Sequence, residues 1–517
     1  MSKQNNLTDF LTDVANAIRA KKGSTDLINP QNFSAEIAAL SGGLEVIEMT
    51  ETTATIEPNK VYVWGMVESL NITLGTSTNE SDFFAFRFRC SKPTMTVVTV
   101  NGATWAADTE LDAQGKPILD LGSYYQCEIK GGTSALYARL AHYIPFADSN
   151  VEAVLLSKGV GDGLGITYKD AAKVKSISTW FKSNADITAF EELKHFKGLT
   201  GLESNAFLSC SALRSITLPS SISSISYYAF KSCTALEEVK NFENTSIEIL
   251  QDEIFRGTSL KSIVLPNTVT NIKRFAFYGC SALQQIAFPE SLTTIGDSAF
   301  YGCSALQQIA FPESLTSIGP SAFNGCSKVT KITMARTIAD VTIGNEAFNF
   351  GASNVLAEFD ADLSSFISIG NLAFRYFKVW SEVTFANVTT IGYRAFQNTT
   401  ISKIKLPSVT TLPAFSNYEG LFSSCINLVL VDIGDKCTSI GTKSFGRFVG
   451  TGGKDITLIV RAVTPPELAG PIIDTQWVRA KLAVIYVPDD SLTAYQEATN
   501  WSQYADILKP LSEYTEK

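Results

Sequence analysis

Two histidines, His142 and His195, are the chain's whole supply of imidazole, and both lie among hydrophobic and aromatic neighbours. A Ser-His-Asp or Cys-His machine needs an imidazole beside its nucleophile, and neither context supplies one. The segment Gly450-Thr451-Gly452-Gly453-Lys454-Asp455 has the composition of a phosphate loop. Its first glycine is misplaced and Asp455 stands where a metal-binding hydroxyl is required, so a plain loop is expected. Gly161-Asp162-Gly163-Leu164-Gly165 would need oxygen ligands at alternate upstream positions to hold calcium, and Lys158 and Val160 stand there instead. Neither C-x-x-C nor H-E-x-x-H occurs, which leaves zinc unsupported. The carboxylate pairs Glu191-Glu192 and Asp489-Asp490 are sequence neighbours, the second placed where a helix N-cap is wanted. Glycoside hydrolysis depends on carboxylate separation in space, on which a sequence is silent. The expectation is therefore no catalytic, cofactor or metal site.

Composition narrows the partners. The formal charge is -9 with 18% charged residues, mixed in sign and without a basic run, so neither nucleic acid nor an anionic membrane is favoured. The N-terminus lacks a stretch of signal-peptide quality and no run approaches membrane-spanning length, so a protein made and kept in the cytoplasm, or leaving it by lysis, without membrane insertion, is expected. Among nine cysteines, Cys210, Cys233, Cys280, Cys303 and Cys326 share one repeated position near an Ala-Phe pair. They read as a column of small, buried, reduced side chains.

The elements that carry these residues form an α+β, mostly β chain. Residues 1–43 predict a helical hairpin, with apolar spacing at Leu7, Leu11, Val14 and Ile18, then at Phe33, Ile37 and Leu40, serving attachment or oligomerisation. Residues 44–150 predict a small antiparallel β-sandwich from the alternating runs Val61–Trp64, Leu70–Leu74, Phe83–Phe88, Thr96–Val100 and Tyr124–Ile129. Trp64, Trp105, Tyr124 and Tyr125 could stack on sugars there, although a sandwich core needs the same rings. Residues 151–200, with a helix at Lys169–Val174, predict an N-terminal capping segment. A repeat array over 201–459 and a C-terminal strand-helix cap over 460–517 complete the chain.

The array is visible as phenylalanines at Phe207, Phe230, Phe255, Phe277, Phe300, Phe323, Phe348, Phe374, Phe396, Phe422 and Phe445, spaced by 22 to 26 residues. Residues 278–300 and 301–323 differ only at Thr294/Ser317 and Asp297/Pro320. In Leu213-Arg214-Ser215-Ile216-Thr217-Leu218-Pro219, Ile216 and Leu218 alternate with Ser215 and Thr217, which gives a very short half-buried strand ended by the proline. One such unit has half a core and needs neighbours to cover it. Read with period two, the outward positions are Ser215, Thr217, Ser262, Val264, Gln285, Ala287, Gln308, Ala310, Lys331, Thr333, Glu382, Thr384, Lys403 and Lys405. Their polar members are the candidate ligand-binding face. Tyr228, Tyr278, Tyr301, Tyr376 and Tyr393 flank the phenylalanines as a second candidate, equally explained by packing between turns.

The pattern x-A-F-x-G-C-S-x-L-x-x-I-x-L-P-x-S-(L/V)-T-x-I-G over about residues 200–450 resembles the BspA-like leucine-rich repeat family. Ala483–Pro488, Ser491–Tyr495 and Trp501–Ala505 are similar to that family's closing unit. Residues 351–361 lack the Gly-Cys and Leu-Pro elements, and 412–421 carry an insertion, so an irregular coil is expected there. At the front, Thr12–Lys21 with Ile28–Phe33 and Ile37 resembles a short module of tail-associated proteins of gut bacteriophages, and Ser176–Lys182 with Ile187–Leu193 is similar to the piece that often precedes these repeats. These resemblances imply a non-enzymatic virion tail fibre or receptor-binding protein. Residues 1–150 would join other tail or baseplate proteins or further copies, for example as a trimer, and the solenoid would contact a host-surface glycan or protein. A bacterial cell-surface adhesin with the same repeats is the alternative, and a polysaccharide-degrading tail enzyme the second.

Overall fold

The computed structural model describes residues 45–515, except 52, 59, 68, 77–82, 91–96, 102, 106–123, 131–136, 162–164, 335–339, 355, 417–419, 446–455 and 474–481. The expected helical hairpin and the loop from Gly450 to Asp455 lie outside the described residues. The described part divides into two compact units, the first reaching Phe181 and also holding 186–200 and 215–221.

In the first unit, alternating strands feed two ladders. Glu45–Met49, Lys60–Val67 and Phe83–Cys90 pair in parallel, and Thr53–Ile56, Ser69–Leu74 and Val97–Asn101 form a second parallel ladder. Among the described strands of this unit, only Phe83–Cys90 with Tyr124–Lys130, and the latter with Tyr137–Tyr143, pair antiparallel. The antiparallel pairing expected for residues 44–150 is thus corrected for its first half. Alternation of apolar and polar residues fixes which face is buried and leaves the direction of the neighbour open. Here each strand hands the chain to the other ladder before it returns, so it comes back pointing the same way. Both ladders share one core, in which Trp64, Phe84, Phe86 and Phe88 join Ile56 and Ile72. Trp64 donates its indole N–H to the Glu51 carbonyl at 2.6 Å and meets Phe86 edge-on at 6.2 Å. Tyr125 is 3% exposed, so Trp64 and Tyr125 are core rings.

A helix at Ser149–Ser157, not anticipated from the sequence, and a second at Tyr168–Lys173 lead to the solenoid. Asp148 ties the first helix to the start of the solenoid. It caps the first helix by accepting from Asn150 N, and its other oxygen accepts from Thr188 N at 2.6 Å and Thr188 Oγ1 at 2.9 Å.

A parallel β-solenoid of about 13 turns spans residues 189–510. Each regular turn has one strand of three or four residues, such as Gln285–Ala287, and one of two, such as Thr294–Ile295. The two-residue strands stack into a ten-stranded sheet from Ile249–Leu250 to Glu467–Leu468. Between them runs the phenylalanine column. Phe277, Phe300 and Phe323 are fully buried and stack with centroids 5.1 Å apart. The thiols of Cys280, Cys303 and Cys326 donate to the carbonyls of Phe255, Phe277 and Phe300 one turn back, at 3.0–3.2 Å. The glycine ending T-x-I-G has a steric cause. A Cβ on Gly344 would lie 2.4 Å from Pro320 N and 2.5 Å from Gly319 C, closer than the turns can allow.

Where the pattern lapses at 351–361, the ladder persists. Glu358–Asp360 pairs with Lys331–Thr333 in register, and buried Asn354 replaces the missing motif by donating to Ser327 O and Val329 O. The far end is closed by Leu482–Val487, itself a rung, followed by a helix at Leu492–Glu497. Tyr495 and Trp501 donate to the carbonyls of Ala462 and Pro466. Asp489 accepts from Ser512 N at 2.9 Å and does not cap that helix.

Candidate ligand-binding face

The longer strands of each turn place every second side chain outward, and their register lines these side chains up in files. Ser262 pairs with Gln285 and Val264 with Ala287. Gln308 pairs with Lys331, which pairs with Glu358, and Ala310 pairs with Thr333, which pairs with Asp360. Further on, Glu382 and Thr384 pair with Lys403 and Lys405, and Lys405 with Asp432. Neighbouring strands in a ladder lie about 4.8 Å apart, so these side chains touch from turn to turn.

That closeness decides what each candidate is free to do. Ser215 donates to Glu191 at 2.6 Å and Thr217, 9% exposed, donates to the other oxygen of the same carboxylate. Those two hydroxyls are engaged by Glu191 and are corrected out of the open face. Lys331 pairs with Glu358 at 2.9 Å and Lys403 with Glu382 at 3.0 Å. Asp432 receives a two-pronged contact from Arg461, both bonds at 2.8 Å. Ser262, Gln285 and Gln308 stay exposed, beside Val264 at 59% exposure. Sequence reasoning missed Glu358, Asp360, Asp432 and Arg461, whose places follow from pairing with Lys331, Thr333 and Lys405 and from the Arg461–Asp432 contact.

The tyrosine candidates are packed between turns. Tyr278 stacks on Tyr301 at 4.9 Å, and Arg256 covers its ring from 4.8 Å. Tyr393 stacks on Phe415 at 4.5 Å, while Lys231, Arg375 and Arg394 lie over Tyr228, Tyr376 and Tyr393. Burial alone would raise the Glu253 carboxyl, but hydrogen bonds from Lys231 and Arg256 at 2.6 and 2.7 Å hold it below the ordinary range.

The residues that could have carried chemistry are otherwise occupied. His142 and His195 are brought to the same tyrosine, with their rings 4.2 and 4.7 Å from that of Tyr168, and His142 also stacks on Tyr125 at 4.5 Å. Burial, helped by Lys194, Lys197 and His142, pushes His195 down to about 4, so it is neutral at neutral pH. Glu191 and Glu192 serve different ends. Glu191 holds Ser215 and Thr217, whereas Glu192 accepts from Ala147 N at 2.9 Å and is raised by burial. Among the described residues, no group of three or more His, Cys, Asp or Glu is placed to hold a metal ion, and no helix is long and apolar enough to cross a membrane.

Short parallel strands, a buried ring column and an outward file of side chains define a leucine-rich repeat solenoid. Residues 172–248, 248–362 and 341–450 match the BspA type leucine rich repeat region, in six copies. These matches span more than half of the chain, which belongs to that family. Among solved structures, it is similar to a leucine-rich repeat protein from Bacteroides ovatus ATCC 8483, at 18% identity and a TM-score of 0.40, over 65% of this chain and 86% of that one. It is also similar to a leucine rich cell surface protein from Faecalibacterium prausnitzii A2-165, at 20% identity and a TM-score of 0.32, over 64% and 84% of the two chains. The Pneumococcal vaccine antigen PcpA is similar at 11% identity and a TM-score of 0.32, over 79% and 98%. No curated protein matches.

Proposed function

We propose that this chain is a non-enzymatic adhesion protein of the bacterial cell-surface type, whose solenoid presents its outward file of side chains to a surface glycan or protein. One observation carries the reading: within each ladder the rungs hold register, so side chains far apart in sequence line up in polar files that the core does not need. In solenoids such a face is the usual contact surface. Membership of the BspA type family favours display at a bacterial surface. The histidines are absorbed in ring stacking and the adjacent carboxylates in unrelated hydrogen bonds, which supports a binding role over a catalytic one.

The resemblance of Thr12–Lys21 to a phage tail module favours a second reading, in which a virion tail carries the same solenoid. Immunogold labelling separates the two. Antibody raised against the chain should decorate the envelope of the producing bacterium. Decoration of tails on purified phage would favour the second reading, and labelling of neither structure would overturn both.

A further inference from the structure

Most of the outward face neutralises itself. Lys261 pairs with Glu237 before the two near-identical turns, and Lys331 with Glu358 after them. Between these ion pairs lie Gln284, Gln285, Gln307 and Gln308, all exposed. Gln307 N donates to Gln284 O at 3.2 Å, which sets the second pair directly above the first. Among the described residues, none of the four side chains has a hydrogen-bond or ionic partner. The strip beside them is apolar and shallow, formed by Val264, Ala287 and Ala310. The two turns therefore carry a two-by-two tile of unspent amides without any charge.

We propose that this tile is a binding site for a neutral, linear glycan built of one repeating sugar. The proposal rests on the adhesion reading and gives it a ligand class and a place. An amide offers both a donor and an acceptor, which matches a pair of neighbouring sugar hydroxyls. The same amide pair recurs after one rung, about 4.8 Å on. A ligand that fits the first turn fits the second only if it repeats by a similar step, as successive sugars of a homopolymer do. Neutrality follows because a polyanion or polycation would find no opposite charge on the tile and would meet paired charges at both borders. A protein partner is disfavoured because only Val264, Ala287 and Ala310 lie beside the amides, and the tile offers no aromatic or arginine anchor of the kind on which protein interfaces depend.

The test is affinity electrophoresis of the full chain through native gels containing dextran, laminarin, a linear mannan or a linear galactan, with polygalacturonate as the anionic comparison. Retardation is expected in at least one neutral gel. The double substitution Gln285→Ala/Gln308→Ala should weaken it at least tenfold, each single substitution less, and Lys436→Ala, outside the outward file, should leave it unchanged. Gln285, Gln308 and Lys436 are exposed, and circular dichroism melting verifies that the variants fold. Retardation by polygalacturonate alone, by none of the neutral gels, or undiminished in the glutamine variant would overturn the tile. Binding of the labelled chain to intact bacterial or host cells separates this failure from that of the adhesion reading. Cell binding that survives Gln285→Ala/Gln308→Ala sinks the tile and spares adhesion, whereas absence of cell binding sinks adhesion itself.

Discussion

Residues 45–101 and residues 189–510 wind alike, each sending successive strands alternately to two parallel ladders, yet only the second region repeats in sequence. In the first, unlike rings meet: Trp64 meets Phe86 edge-on, Phe86 stacks on Phe88, and Phe88 stacks on Tyr125. In the second, one ring meets its own copy, as Phe277, Phe300 and Phe323 do. Parallel winding therefore does not require repetition. It requires short connections and two layers with a common core. What repetition adds is interchangeability: every turn buries the same face against its neighbour, and the outward positions can vary without disturbing it.

Emptying each core tests that difference with the largest effect. Phe300→Ala and Trp64→Ala should each cost about 3–5 kcal/mol by removing a fully buried ring. Hydrogen exchange read by mass spectrometry should show different reach. For Phe300→Ala, protection should fall mainly in the turns around residues 277–323 and stay at the wild-type level in 45–143. For Trp64→Ala, the whole of 45–143 should lose protection together. Equal loss everywhere in either variant would erase the distinction.

The contact between turns is probed next. Gly344→Ala forces a methyl against the backbone of the preceding turn and should cost about 1–3 kcal/mol, as overpacking does. Gly279 has φ +72° and open space around it, so Gly279→Ala meets only the left-handed backbone penalty, of about 1–2 kcal/mol. Thermal melting should rank Gly344→Ala as the more damaging. The reverse order would mean that the turns have room to separate.

The same contrast explains what could be read in advance. The repeats announced themselves because Ala-Phe, Gly-Cys and Leu-Pro each report one recurring contact, and one solved turn solves the rest. Which outward residues remain open was not legible. Glu191 reaches Ser215 and Thr217 from 24 and 26 residues away, and Asp432 is met by Arg461 from 29. Such partners follow from register, which shifts wherever a turn changes length, as at Val341–Thr342. In residues 45–143, period two revealed the strands and their buried faces, but not the ladder each joins. The meeting of His142 and His195 at Tyr168 carried no signal in sequence at all.

That meeting gives the first unit, which holds residues 186–200, and the array from residue 201 onward different responses to acid. His195 is pushed from 6.5 down to about 4 in the folded chain, so the unfolded chain takes up its proton first as pH falls. Its contribution to stability is complete above about pH 6.5 and is lost as pH falls towards 4. Glu192 has the opposite sign: burial raises its carboxyl, so its contribution is present at low pH and fades as pH rises through the folded value. Urea unfolding of the first unit, followed by exchange of its amides, should therefore show a midpoint that drops between pH 6.5 and 4, and a shallower drop in His195→Phe. The array from residue 201 onward contains no histidine and serves as the internal reference. An identical slope in the variant would mean that His195 is no less solvated in the fold than out of it.

The smallest effect tests interchangeability most directly. Cys303 donates to Phe277 O, but two turns use a different atom at that place. Thr258 Oγ1 donates to Phe255 O of its own turn at 3.0 Å and sits 3.3 Å from Cys280 Sγ, and Thr399 Oγ1 lies 3.1 Å from Cys425 Sγ. The position thus accepts a small hydroxyl side chain in place of the thiol, although Thr258 turns its donor to its own turn. Cys303→Thr should stay within about 1 kcal/mol of wild type, whereas Cys303→Ala, which leaves the carbonyl short of a partner, should lose about 0.5–1.5 kcal/mol. Burial pushes Cys280 and Cys425 up to about 11, so a thiol reagent at pH 8 should label them only as fast as the turns unfold. If Cys303→Thr proved as damaging as Phe300→Ala, the sulfur would be filling a space no hydroxyl can, and the turns would be less alike than their shared register implies.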